Sequence, residues 1–97
     1  MAKFKCTKFV AGSNDDTKNF LATPGAVAKV AQMLKFDRTD IDVVVEAVCT
    51  CPEGRKLLVM GGYPTIESEE DNREGYVWID NNGQITDTQA IILPILT

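Results

Sequence analysis

The sequence predicts an α+β fold in which a mostly antiparallel β-sheet carries one or two helices on one face. Three observations support this class. One segment after Thr23 has its apolar residues at helical spacing, and β-branched runs recur along the rest of the chain. Two turn sequences, Pro52-Glu53-Gly54 and Asn81-Asn82-Gly83, separate neighbouring strand-like runs, which is typical of β-hairpins.

The first strand is predicted over Lys3–Val10, where lysines alternate with aromatic and β-branched residues. Its lysines fit a sheet edge, and Gly12–Asp16 is predicted to end it. A helix is predicted over residues 24–35, with Thr23 as N-cap and Pro24 as the first helical residue. Its expected buried face consists of Val27, Val30, Ala31 and Leu34.

The segment Asp40–Cys51 permits two interpretations. Apolar residues alternate in it, at Ile41, Val43, Val45, Ala47 and Cys49, as expected of a half-buried strand. Thr39 followed by Asp42 also resembles a capping box, which would begin a short helix. We favour the strand, because the turn at Pro52 and the apolar run Lys56–Met60 complete a hairpin.

The second half of the chain predicts further strands. Gly61–Pro64 is expected to close the Lys56–Met60 strand. Tyr76–Asp80 and Gln84–Thr86 then form the two arms of a hairpin, and Ala90–Leu96 is predicted as a last strand at an edge or an end, because Pro94 cannot donate to a sheet.

Length and composition indicate one soluble domain, residues 1–97, with 44% hydrophobic and 25% charged residues. Ten basic against fourteen acidic residues give a net charge of −4, which disfavours direct binding to nucleic acid or to an anionic membrane. The sequence shows neither a secretory signal nor a run of about 20 apolar residues. A cytoplasmic location is therefore expected.

The residue types argue against an enzyme. Histidine is absent, which removes the usual general base and the commonest metal ligand. The carboxylate pairs Asp40/Asp42 and Glu69/Asp71 lie beside turns, where nothing predicts the burial that acid-base catalysis requires. Gly61-Gly62 lacks the rest of a nucleotide-binding motif. We expect no catalytic residue and no cofactor.

The three cysteines are predicted to be reduced, because their number is odd and no export signal is seen. Cys49 and Cys51 would place their thiols on one face of a strand, with Cys6 as a third candidate ligand. A closed zinc site needs four ligands, and the chain offers no fourth thiol or imidazole. The sequence therefore predicts core cysteines and no metal site.

One segment is strongly acidic. The sequence IESEEDNRE places five carboxylates within eight residues, at Glu67, Glu69, Glu70, Asp71 and Glu74. With Arg73 subtracted, the segment carries −4, the net charge of the whole chain. One interpretation is a solvated loop between strands, the usual role of a charge run.

The other interpretation is an acidic binding surface. Residues i and i+2 of a strand lie about 6.6 Å apart on one face. This is similar to the direct distance between successive phosphates of one nucleic-acid strand, although each phosphate rises only about 3.4 Å along the helix axis. Asp37, Asp40 and Asp42 form a second acidic group, and Asp15 and Asp16 would extend the surface if the fold brought them to the same side.

The short α+β chain, the lack of catalytic motifs and the acidic runs SNDD, DRTDID and IESEEDNRE resemble the small anti-CRISPR proteins that inhibit type I-F surveillance complexes as DNA mimics. The resemblance extends over the whole chain and includes no shared motif. It implies a non-enzymatic inhibitor that occludes target DNA. The partner would be the basic DNA-binding surface of a protein or ribonucleoprotein, with Glu67, Glu69, Glu70, Asp71 and Glu74 as first contacts and Asp37, Asp40 and Asp42 as second.

Two other functions stay open at the level of sequence. One is a structural module of a phage or mobile element that self-associates through a sheet edge and the apolar C-terminus. The other is a small-ligand or enzymatic domain, which requires a defined pocket. Tyr63, Tyr76 and Trp78 would anchor an interface or pack in the core, and the core is the expectation for Trp78.

Overall fold

A five-stranded antiparallel sheet with the order β1-β2-β3-β4-β5 is the centre of the structure. The computed structural model describes Cys6 and residues 8–37, 40–64 and 72–91. The elements are β1 Val10–Ala11, α1 Asn14–Leu21, α2 Ala26–Met33, β2 Ile41–Thr50, a 3₁₀ turn Pro52–Gly54, β3 Lys56–Pro64, β4 Arg73–Ile79 and β5 Ile85–Ile91. The predicted α+β class is confirmed.

The two faces of the sheet differ in what covers them. Both helices pack on one face, where the main core contains Phe20, Ala26, Val30, Ala31, Met33, Leu34, Ile41, Val43, Val45, Val48, Leu58, Met60 and Val77. A smaller cluster of Cys49, Cys51, Leu57 and Trp78 lies on the other face, here called the helix-free face. Side chains of a strand alternate between faces, so neighbours such as Leu57 and Leu58 belong to different clusters.

The first strand is shorter than predicted. Only Val10–Ala11 pairs with β2, and the remaining described residues before it, Cys6, Lys8 and Phe9, are not in a strand. The edge position is as expected, since β1 lies at the edge of the sheet formed by the described residues, next to β2. Gly12 then passes so close to β2 that a Cβ at this position would overlap the Val45 carbonyl.

Helix α1 was not predicted. Ser13 is its N-cap: the Ser13 Oγ accepts from the Asp16 N–H, and the Asp16 carboxylate accepts from the Ser13 N–H at 2.9 Å. This is a capping box in which Asp replaces the usual Glu. The run Ser13–Asp16 therefore begins a helix, where the sequence pattern was interpreted as a turn.

Helix α2 confirms the predicted helix but begins later. Gly25 is its N-cap, in the left-handed region at φ 75°, and the Ala26 N–H donates to the Thr23 carbonyl. Thr23 and Pro24 thus belong to a turn that only the glycine permits. The expected buried face is present, with Val27 only half-buried. Neither helix of the described ranges has the length and hydrophobicity needed to cross a membrane.

Strand β2 confirms the strand interpretation of Asp40–Cys51, and the helical start is wrong. The simple alternation is also wrong beyond Val45, because a β-bulge lies between Val45 and Ala47. The extra residue shifts the register. Val48 consequently enters the main core, and Cys49 lies on the helix-free face.

Strands β3 and β4 are longer than predicted. Strand β3 continues through Gly61-Gly62 to Pro64, and β4 begins at Arg73. The hairpin turns at Pro52–Gly54 and Asn81–Gly83 are confirmed. Of the predicted last strand, Ala90 and Ile91 end β5, and residues 92–97 lie outside the described residues.

Candidate interaction surface at one end of the sheet

Strand register divides the carboxylates between two ends of the sheet. The acidic end, as we name it, consists of the start of β2, the end of β3, the start of β4 and the end of β5. There Asp42 pairs with Tyr63, and Gly62 pairs with Arg73. The opposite end carries the turns at Pro52–Gly54 and Asn81–Gly83 and is called the hairpin end.

The described members of the two predicted acidic groups, Asp37, Asp40, Asp42 and Glu74, lie at the acidic end. Glu67, Glu69, Glu70 and Asp71 lie outside the described residues, but the strands on either side of them end there. Asp37, Asp40 and Asp42 are exposed at the same end, and Glu74 is half-buried. Gly61 of β3 pairs with Val44 of β2 on one side and with Glu74 of β4 on the other, so only β3 separates Glu74 from β2.

Glu46 joins this surface, and sequence reasoning missed it. Its side chain extends from β2 across Gly61, where a Cβ would lie 2.5 Å from Glu46 Oε2. A hydrogen bond then joins it to the Glu74 carboxyl. Partial burial, this hydrogen bond and repulsion from Glu74 together raise the pKa of Glu46 above its ordinary value of 4.5.

The pair required a register that the sequence does not reveal. A lone glutamate among β-branched residues and a glycine pair in a later strand were visible signals. Val44 pairs with Gly61, and a bulge follows Val45. Together they bring the Glu46 carboxyl over Gly61, where the lack of a side chain leaves room for it. Asp42, Glu46 and Glu74 consequently share the helix-free face.

Arg73, the one cation in the acidic segment, acts on helix α2. Its Nη1 donates to the Leu34 carbonyl at 2.8 Å and to the Lys35 carbonyl at 3.0 Å. The guanidinium also lies 4.2 Å from the centre of the Phe36 ring. A cation at this position satisfies carbonyls that a helix C-terminus leaves unpaired and interacts favourably with the helix dipole.

The expectation that Trp78 packs in the core is confirmed. Trp78 is buried in the smaller cluster, with its ring centroid 5.9 Å from that of Tyr76. Tyr63 is half-buried and lies on the helix-free face opposite Asp42. Tyr63 is therefore the aromatic residue best placed to take part in an interface at the acidic end.

Asp15 and Asp16 do not extend the acidic end. Asp16 lies near Lys56 and lines a cleft of about 250 Å³ at the hairpin end with Asp80. Its hydrogen bonds with Ser13 lower the pKa of Asp16 below its ordinary value. Asp80 is likewise engaged, because its carboxylate accepts the N–H groups of Asn82 and Gln84, each at 2.9 Å. The two carboxylates of this cleft thus support the backbone.

The prediction that all cysteines are reduced is wrong for two of them. The structure joins Cys6 and Cys51 in a disulfide with a Cα–Cα distance of 6.0 Å, and Cys49 is free and buried. The three sulfur atoms lie within 4.8 Å of one another. An odd count could not reveal this arrangement, because it depends on the placement of Cys6 beside the end of β2.

No protein-family model, curated protein or solved structure matches this chain.

Proposed function

We propose that this protein is a non-enzymatic inhibitor that acts in the cytoplasm of a bacterial host. It binds the basic DNA-binding surface of a protein or ribonucleoprotein complex through the acidic end and takes the place of target DNA. The proposed target is a CRISPR surveillance complex of type I-F. The sequence resemblance is the basis for that target, and the convergence of carboxylates at the acidic end is the observation that supports the mode of binding.

Like charges gathered in one place favour a binding role over a structural one. Asp42 and Glu74 lie on one face, with one strand between them, and Glu46 adds a third carboxyl. Adjacent strands are about 4.8 Å apart, so carboxylates of β2 and β4 lie about 10 Å apart across the sheet. Asp40, directly before β2, and Asp42, within β2, add two exposed carboxylates at this end.

Lys35 and Arg73 are basic residues at the acidic end, and both are associated with the C-terminal end of helix α2, on the helical side of the sheet. Arg73 is hydrogen-bonded to the end of helix α2, which directs its guanidinium to the helical side of the sheet. Carboxylates on the helix-free face would therefore meet lysine and arginine side chains of a partner. Such an interface is sensitive to salt, because counterions compete with exposed charges.

The experiment measures displacement of labelled duplex DNA from a purified type I-F surveillance complex by fluorescence anisotropy. Two double variants carry the same change in charge: Asp37→Lys with Asp42→Lys at the acidic end, and Asp15→Lys with Glu53→Lys at the hairpin end. Each substitution adds two units, so each variant changes the net charge from −4 to 0. Circular dichroism confirms that both variants fold.

The wild-type protein and the hairpin-end variant are expected to displace the DNA at stoichiometric concentrations, more weakly as salt increases. The acidic-end variant is expected to lose at least about 100-fold in affinity, because each close charge pair at such interfaces contributes about 1.5 kcal/mol or more. Equal inhibition by both variants would exclude the acidic end as the contact surface. Absence of inhibition by the wild type would exclude this target.

The arrangement of the sheet favours one alternative, a self-associating structural module. Strand β5 has seven residues and pairs with β4 alone within the described sheet, so it offers an edge for strand addition. On this alternative, deletion of residues 90–97 would abolish an oligomer seen by sedimentation velocity. The acidic-end variant would leave that oligomer intact.

A further inference from the structure

The smaller cluster on the helix-free face contains every cysteine of the chain. Cys49 and Cys51 are buried at the end of β2, and Cys6 is half-exposed beside them. Their three sulfur atoms lie within 4.8 Å of one another, so reduction of the Cys6–Cys51 disulfide would leave three soft donors close together. This point lies toward the hairpin end, away from the carboxylates of the acidic end.

We propose that in the reduced protein these three thiols form a binding site for monovalent copper. Thiolates bound to one metal at about 2.3 Å lie at most about 4.6 Å apart. Cys49 Sγ lies within 4.8 Å of both other sulfurs, and reduction of the disulfide frees the Cys6 and Cys51 sulfurs to separate to such a spacing. The proposal does not depend on the inhibitor function, because the two surfaces share no residue.

The number and type of donors select the metal. Structural zinc takes four ligands in a tetrahedron, and no fourth donor joins this cluster within the described ranges. Copper(I) is a soft ion that prefers thiolates and is satisfied by three of them. The missing fourth ligand therefore excludes a closed zinc site without excluding copper(I).

The surroundings hold two of the donors in place and limit access of water. The Cys51 N–H donates to the Arg55 carbonyl at 2.7 Å, which fixes the chain directly after β2. Leu57 and Trp78 pack against Cys49 and Cys51. Cys6 is half-buried and packs against the same cluster. An apolar, partly closed site protects a bound copper(I) ion from oxidation.

Reduction must precede binding, because Cys6 and Cys51 form a disulfide. A phosphine reductant converts that disulfide to two thiols, and the phosphine takes an oxygen from water to become its oxide. Copper(I) then binds the thiols of Cys6, Cys49 and Cys51 as thiolates and releases three protons. The complex carries two negative charges at the metal site.

The test is a competition between the reduced protein and a chromophoric copper(I) chelator under anaerobic conditions. Trp78 is the one tryptophan of the chain and lies in the same cluster, so its fluorescence reports occupancy of the site. We expect the wild type to withdraw one equivalent of copper(I) from the chelator with quenching of Trp78. Each of the variants Cys6→Ser and Cys49→Ala is expected to bind at least about tenfold more weakly, since even an outer-shell partner has an effect of that size.

Thr50→Ser is the matched control, because Thr50 is exposed between the two buried cysteines and its substitution leaves all three sulfurs in place. It is expected to bind like the wild type. Cys6→Ser changes a half-exposed residue and keeps the test valid if Cys49→Ala does not fold. Failure of the reduced wild type to compete, or undiminished binding by folded Cys6→Ser, would overturn the proposal.

Discussion

The two ends of the sheet use their carboxylates in opposite ways. At the hairpin end, Asp16 completes a helix cap, Asp80 accepts two backbone N–H groups and Glu53 pairs with Arg55 at 3.6 Å. At the acidic end, Glu46 and Glu74 bring two carboxyls together, and Asp42 lies exposed on the same face.

The carboxylates of the hairpin end stabilise the fold, whereas those of the acidic end do not. A carboxylate that accepts backbone N–H groups lowers the free energy of the native state. Carboxylates placed side by side raise it, so such an arrangement is typical of surfaces with a function. The carboxylates of the hairpin end thus stabilise the fold, and those of the acidic end form the surface for which we propose a binding role.

Removal of Arg73 is expected to have the largest effect, because it is the residue of the acidic end that stabilises the fold. Arg73→Met keeps the aliphatic stem and removes two charge-assisted hydrogen bonds to the carbonyls that end α2. The free energy of unfolding should fall by about 2–3 kcal/mol in urea denaturation. Lys35→Met, at the same end and with the same change in charge, is the control and should lie within about 0.5 kcal/mol of the wild type.

Single carboxylate removals test the comparison directly. Asp80→Ala leaves the N–H groups of Asn82 and Gln84 without their acceptor and should lower the free energy of unfolding by about 1–2 kcal/mol. Asp42→Ala at the acidic end should change it by no more than about 0.5 kcal/mol, since Asp42 is exposed. Equal losses in thermal denaturation would show that the two ends do not differ.

The pH dependence of stability should have opposite signs at the two ends. The pKa of Glu46 is raised, so its ionisation destabilises the protein above that pKa, and the penalty disappears as the pH falls below 4.5. Glu46→Gln should therefore raise the melting temperature at pH 7. The gain in the free energy of unfolding should be no more than about 1 kcal/mol, because solvent screens the exposed carboxyl. Its difference from the wild type should vanish near pH 4.

Asp16 provides the opposite case. The hydrogen bonds with Ser13 lower the pKa of Asp16 from its ordinary value of 3.8. The carboxylate of Asp16 therefore stabilises the folded protein above pH 3.8, and this stabilisation is lost as the pH falls through the lowered pKa. Asp16→Asn should lower the melting temperature at pH 7, and this difference should disappear in strong acid. Parallel pH profiles for Asp16→Asn and Glu46→Gln would contradict the assignment of distinct roles.

The smallest expected effect on stability concerns Gly61. A Cβ there displaces only the far end of the flexible Glu46 side chain, and alanine is easier to order in a strand than glycine. Gly61→Ala should change the free energy of unfolding by no more than about 0.5 kcal/mol. It should nevertheless return the pKa of Glu46, measured by carbon-13 NMR, toward its ordinary value, because the carboxyl loses its position beside Glu74.

Local patterns were sufficient for most elements of this protein. The spacing of Val27, Val30, Ala31 and Leu34 predicted α2, and the turns at Pro52 and Asn81 predicted the hairpins. Periodicity and turn chemistry act over a few residues, so a sequence reveals them directly. Helix α1 was missed although its capping box was visible, because Ser, Asn and Asp favour turns and helix caps alike.

The sequence by itself determined the fold class, the acidic character of the 66–74 segment and the absence of histidine chemistry. Only the tertiary structure decided which carboxylates share an end, that Glu46 lies over Gly61, and that Cys6 meets Cys49 and Cys51. The physical reason is register. A single bulge after Val45 changes the face of every later side chain in β2, and no local pattern encodes that shift.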